Sequence, residues 1–177
     1  MLKRRVLVFS SHYLPGHNAG GPIRSLESIF NLLSDDVDFY LVTSDRDLGD
    51  TVAYEGIEAN TWIKVGHIMV YYSSQKLISA RSLKNILVYS RPSTIYLNSL
   101  FSFAYSIYVL FLLLMSDFKN VRLVLAPRGE LSQGALEQKK LKKFIFTQIT
   151  KHIKVYKNID WHVSTKHERL DLIKIYG

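Results

Sequence analysis

Val6-Leu-Val-Phe-Ser10, the polar loop leading to Gly20-Gly21, and the periodic pattern that begins at Pro22 constrain this chain more than any other stretch. Residues with a strong β preference give way to a loop containing proline and glycine, and then to apolar side chains at helical spacing. The segment therefore reads as strand, loop, helix. Proline suits the first helical position, because its missing N–H would have had no intrahelical partner. Ile23, Leu26, Ile29, Phe30 and Leu33 fall on one face, opposite Arg24, Glu27 and Asn31. A glycine pair lets a ligand approach the backbone, and free N–H groups at the positive end of a helix favour an anion such as phosphate. A flexible strand-to-helix connection is the simpler account of the same two glycines. The spacing is not the G-x-G-x-x-G of dinucleotide binders, and no Walker lysine follows.

Asp38 to Thr43, Thr94 to Asn98, Val121 to Ala126 and Ile159 to Val163 read as further strands. Thr61 to Val65 and His67 to Tyr72 flank Gly66 as a short hairpin. Helical patterns cover Gln75 to Tyr89, Phe101 to Met115, a long segment from Gly134 toward His152, and the chain after Thr165. This alternation predicts an α/β fold, a Rossmann-like open, mainly parallel sheet with helices on both faces. Ligands of such sheets sit beyond the carboxyl ends of the strands. The glycine loop, Asp45-Arg46-Asp47 and Pro127-Arg128-Gly129-Glu130 are thereby expected on one crevice. Thr165 and Glu168 have capping-box spacing, with Thr165 accepting from the third helical N–H and Glu168 reaching back to the N–H of the cap.

The chain has 177 residues, 47% of them hydrophobic, which is enough for one substantial core in one domain. It contains no cysteine, so a disulfide framework and thiolate metal sites are excluded. The apolar run after Met1-Leu-Lys-Arg-Arg5 is too short for a signal peptide and reads as the first strand. Phe101 to Met115 falls short of the roughly 20 residues that a membrane span needs, so a buried or partly interfacial helix is expected there. The net charge is +8, and Lys139 to Lys157 holds seven lysines and no acid. Such a tract is either a solvated helix face or a surface for phosphates or anionic lipid. It has no arginine and no recognition-helix motif, and no nucleic-acid partner is expected.

Four segments, HYLPGHNAGGPIRSLESI, VTSDRDLGD, APRGELSQGALEQKKLKKFIF and WHVSTKHERLDLIKIYG, together and in this order resemble the N-terminal half of a retaining glycosyltransferase of family 4, the group 1 enzymes of bacterial polysaccharide assembly. The resemblance covers almost the whole chain. It implies a GT-B architecture in which residues 1–177 form the acceptor-side domain, inactive alone, and a C-terminal donor-binding domain with paired glutamates lies outside this chain. The substrates implied are a nucleotide-sugar and a glycan or polyprenyl-linked acceptor, with no metal and no cofactor required. Gly20 and Gly21 match the loop that approaches the donor diphosphate, and Arg24 would line the same cleft. Asp45, Arg46 and Asp47 match a segment that can bond acceptor hydroxyls. Arg128, Gly129 and Glu130 match a motif in which many relatives carry histidine at the Arg128 position. A guanidinium cannot serve as a base at neutral pH, so phosphate or carboxylate holding is the role implied for Arg128, and no catalytic proton-transfer residue is assigned. The resemblance also gives Lys139, Lys140, Lys142 and Lys143 a membrane-facing role, with the protein cytoplasmic and peripheral on the inner face of the membrane. The alternative from another class is a non-catalytic Rossmann-type module that binds a nucleotide or phosphorylated sugar.

Overall fold

The computed structural model describes residues 3–116, 121–137, 140–152 and 155–177. Seven strands form one sheet: β1 (Arg4–Phe9), β2 (Val37–Ser44), β3 (Trp62–Val65), β4 (Ile68–Ser73), β5 (Thr94–Leu97), β6 (Arg122–Leu125) and β7 (Asp160–Trp161). Their order is β3-β4-β2-β1-β5-β6-β7. Every neighbouring pair is parallel except β3 with β4, which form the antiparallel hairpin around Gly66. The chain starts at β1 in the middle, winds outward to β2 and β4, then crosses back to β5 and winds the other way. That reversal between β1 and β5 is the topological switch point of a Rossmann-like fold, where a crevice opens beyond the strand ends.

Alternation along β1 divides the core in two. Leu7 and Phe9 point into one layer and Val8 into the other, as a pleated strand requires. On the Val8 side, α1 (Gly21–Leu33) buries Ile23, Leu26 and Phe30 against Leu41, Val70 and Tyr72. On the opposite side lie α2 (Ala80–Ser90), α3 (Tyr108–Leu114) and α6 (Lys166–Tyr176), with Leu87, Val109 and Leu172 in the same cluster as Leu97 and Leu125.

Several boundaries differ from the sequence expectation, each for a local reason. The second helix begins at Ala80 rather than Gln75, because the Ser79 hydroxyl accepts the Ser82 N–H and fixes the start. Ser79→Ala is expected to cost about 1 kcal/mol of stability, read as a urea-midpoint shift with unchanged m-value. The Phe101 to Met115 segment is not one regular helix. It opens with a π-helical turn, Phe103–Ile107, and only then becomes α3. It is not buried all round either, since Phe111, Leu114 and Met115 face outward. Helices α4 (Gln133–Glu137) and α5 (Lys140–His152) occupy the expected basic segment. No helix among the described residues is long and apolar enough to cross a membrane.

Candidate functional site

The turns after β1, β5 and β6 meet on one rim of the sheet, joined by the entry to α6. A depression of about 330 Å³ is lined by Gly21, Pro22 and Ser25 of α1, by Arg128 and Gly129, and by Ser164, Thr165 and Glu168. A second, of about 250 Å³, shares Pro22 and Arg128 with the first and adds Ser10, His12, Asn98 and Glu130. A third, of about 400 Å³, shares Ser11 and His12 with the second and reaches Asp45, Arg46 and Tyr105. Shared walls make them one trough along the carboxyl ends of the strands.

Arg128 stands at its centre. Arg128 and Gly129 are both left-handed, with φ of 54° and 76°, a conformation that glycine adopts freely and arginine does not. The reversed backbone is held from both sides. Gly129 N–H donates to Glu168 Oε1 at 2.6 Å, while Arg128 Nε donates to Asn98 Oδ1 at 2.7 Å and Nη2 to the Tyr96 hydroxyl at 2.9 Å. Both acceptors of the guanidinium are neutral, and Arg128 takes part in none of the ion pairs among the described residues. Its charge is thus oriented but not neutralised.

Tyr96 carries this orientation one residue further. Its hydroxyl accepts from Arg128, which has no acceptor of its own, and shares a hydrogen bond with His162 Nδ1 at 2.7 Å. His162 is half-buried beside both. Burial lowers its pKa, the Arg128 charge lowers it further, and Glu168 opposes them. Burial pushes Tyr96 up to about 12, so the hydroxyl keeps its proton at neutral pH. Imidazole NMR titration should find His162 protonating below the ordinary value of about 6.5. Because its folded pKa is depressed, the stability it contributes is complete above the unfolded pKa and disappears as pH falls through the folded one.

The two helix N-termini on the trough differ. At α6 the Thr165 hydroxyl accepts from Glu168 N–H, and the Glu168 carboxylate accepts from Gly129 N–H and from Ser164 N–H. The capping box is thus only half as expected: Glu168 bonds Ser164, one residue before the cap, and reaches the Arg128 turn. At α1 the cap is Gly20, with φ 59°, and no side chain bonds the helix end. The uncapped end is that of α1, which lines the same depression as Arg128.

Other expected site residues have internal tasks. Asp47 is buried and accepts backbone N–H groups from His17, Asn18 and Leu48 at 2.7, 3.0 and 2.7 Å, so it holds the glycine loop instead of facing an acceptor. Burial alone would raise its carboxyl, but these N–H groups outweigh it and keep the group below its ordinary pKa. A methyl group at Gly16 would collide with Asp47 and with the Tyr54 hydroxyl, so the loop needs glycine there. Glu130 accepts from Ser99 Oγ–H and from the Leu100 and Phe101 N–H groups, which fixes the turn after β5. Arg24 is exposed, and Ser25 takes the lining position expected of it, because one further residue along a helix turns the side chain toward the rim. Asp45 and Arg46 do line the trough, but as a mutual pair at 2.8 Å, with Arg46 Nη1 also tied to Thr51 O.

Among the expected lysines, Lys142 is exposed. Lys143 turns inward, where its ammonium bonds Ala135 O and lies 4.9 Å from the Phe101 ring centroid. Lys139 and the side chain of Lys140 lie outside the described residues. Sequence reasoning missed His12, Tyr96 and Asn98. All three sit at or just past the carboxyl end of a strand, which is the signal that could have found them. Among the described residues no group of three His, Asp or Glu side chains could hold a metal ion.

No protein-family model matches the chain, and no curated protein matches it. Among solved structures, it is similar to the dTDP-glucose 4,6-dehydratase of Bacillus anthracis str. Ames in complex with NAD, at 11% identity and a TM-score of 0.42. The match covers 70% of this chain and 37% of that one, so the chain spans little more than a third of the enzyme's length. A likeness of that size carries no argument about function. The chain's own strand order makes it a Rossmann-like α/β domain, and Arg128 shares a depression with an uncapped helix end.

Proposed function

We propose that this chain is the acceptor-side domain of a retaining glycosyltransferase that uses a nucleotide-sugar to extend a lipid-linked glycan in bacterial polysaccharide biosynthesis. The observation that supports this most is Arg128, which lines the same depression as the open N-terminus of α1 and has no carboxylate partner. An arginine and a helix end together form a pole for a diphosphate, the group that leaves when a sugar is transferred. The resemblance of the four ordered segments supplies the reaction. An acceptor hydroxyl oxygen bonds to the anomeric carbon, the carbon–oxygen bond to the diphosphate breaks, and negative charge grows on the departing phosphate. Arg128 and the α1 N–H groups would stabilise that charge, and so act more strongly on the transition state than on the bound donor. Arg128 stays protonated and takes no part in moving the hydroxyl proton.

One observation favours a second reading, a module that binds a nucleotide or phosphorylated sugar without transferring it. Both glutamates on the two depressions beside Arg128 are taken up by backbone N–H groups, and His12 is left as the lining side chain with an uncommitted ring nitrogen among the described residues. The two readings separate in the full-length protein incubated with nucleotide-sugars and a polyprenyl-diphosphate-linked acceptor. Sugar transfer with retained anomeric configuration supports the transferase. Saturable nucleotide binding with neither transfer nor hydrolysis would overturn it in favour of the module.

A further inference from the structure

Helix α6 starts on the trough and runs away from it for 11 residues, so its last residue, Tyr176, stands about 16 Å from the rim. There it meets β7 and the end of α5. Trp161 and Tyr176 stack with ring centroids 5.3 Å apart, and Tyr156 stands edge-on to them at 5.2 and 5.3 Å. With Thr150, Lys151 and Lys157 these rings line a cavity of about 400 Å³, which shares no lining residue with the trough. Its polar groups are unevenly satisfied. Thr150 Oγ1 and the Tyr176 hydroxyl bond each other at 3.0 Å. Tyr156 is only 7% exposed, yet its hydroxyl has no hydrogen-bond partner among the described residues. A buried tyrosine ordinarily finds one, so a free hydroxyl on a cavity wall is a donor without its acceptor. Lys151 and Lys157 are exposed and take part in none of the ion pairs among the described residues, and no acid lines the cavity.

We propose that this cavity binds a sugar unit bearing a carboxylate, as part of an acidic glycan. The C–H groups of a sugar ring pack on the aromatic wall, a ring hydroxyl accepts from Tyr156, and the carboxylate meets the two lysines. Two features select this ligand over a nucleotide. Both flanking helices end here, α5 at His152 and α6 at Tyr176, and their negative dipole ends disfavour a multiply charged phosphate. Two ammonium groups set against that field suit a single carboxylate. A nucleobase also needs an open ring face, whereas Trp161 and Tyr176 already cover one another. A purely apolar ligand would leave the Tyr156 hydroxyl and both lysines unmatched. The inference goes beyond the transferase reading, because none of its residues belongs to the trough.

NMR of the isotope-labelled chain during titration with trigalacturonic acid tests this, with maltotriose as the neutral match. The two tryptophans lie on opposite edges of the sheet, Trp62 on β3 and Trp161 on β7, so one indole reports and the other controls. Trigalacturonic acid is expected to move the Trp161 indole saturably and leave Trp62 in place. Maltotriose should bind about tenfold more weakly, the factor expected from two exposed charge pairs. The double variant Lys151→Gln, Lys157→Gln should reduce trigalacturonic acid to the affinity of maltotriose. Tyr156→Phe should weaken binding about fivefold, the loss of one hydrogen bond, without lowering the melting temperature, because the hydroxyl removed bonds nothing in the protein. Absence of a saturable Trp161 shift, or equal affinity for the two trisaccharides, would overturn the proposal. Tighter binding of uridine diphosphate at Trp161 would overturn it in favour of a nucleotide. The titration with trigalacturonic acid contains no nucleotide-sugar, so its failure would not touch the transferase reading.

Discussion

Glu168→Ala is expected to lower the unfolding free energy by about 3 kcal/mol, because it leaves the Gly129 and Ser164 N–H groups without their charged acceptor in a buried place. For a domain of this length that amounts to a fall of roughly 10 °C in melting temperature. Glu168→Gln, which keeps the shape and one carbonyl oxygen, should lose less than the alanine variant. The mechanism is a tie between two elements: α6 begins at Lys166, yet its third residue holds the turn after β6 that carries Arg128. A urea titration reading both variants checks the order. A loss below about 1 kcal/mol for Glu168→Ala would mean that the carboxylate does not carry the turn.

Arg128→Gly is expected to weaken binding of a nucleoside diphosphate by about 2 kcal/mol, roughly thirtyfold, the magnitude of one charge-assisted pair. Glycine accepts the left-handed backbone at this position, so the variant removes the guanidinium without disturbing the turn. Arg128→Ala removes the same charge but keeps a Cβ in that conformation. Equal losses of affinity in the two variants, by calorimetric titration, would assign the effect to the charge. A loss only in the alanine variant would assign it to the backbone.

The sheet was legible because its signals are local. Leu7, Val8 and Phe9 are β-forming and centrally buried, the spacing of Ile23, Leu26 and Phe30 is helical, and Gly66 at φ 57° closes the hairpin where its flanking strands require a turn. Thr165 announced α6 by its spacing to Glu168. The site was legible only as a place. Which strand ends would meet followed from parallel topology, but what each carboxylate does there depends on backbone N–H groups some 30 residues away, as with Asp47 and His17, or Glu130 and Leu100. Nothing in the local pattern of either aspartate or glutamate marks such partners. Helix α5 shows a different limit. It has two helical stripes, one of Leu, Phe and Ile and one of Lys, Phe and Thr, and the pattern alone does not say that the more apolar one stays outside. The fold buries the other, because Phe146 meets Phe101, and Thr147 and Thr150 satisfy their hydroxyls on their own helix.

Backbone amide shift mapping of the isotope-labelled chain during titration with uridine diphosphate tests the central claim most directly. The account predicts saturable shifts at Gly20, Gly21 and Gly129, the amides around the pole formed by Arg128 and the start of α1, and their loss in Arg128→Gly. Saturable shifts confined to the far end of the sheet, around Tyr156 and Trp161, with Gly20 and Gly21 unmoved, would contradict it.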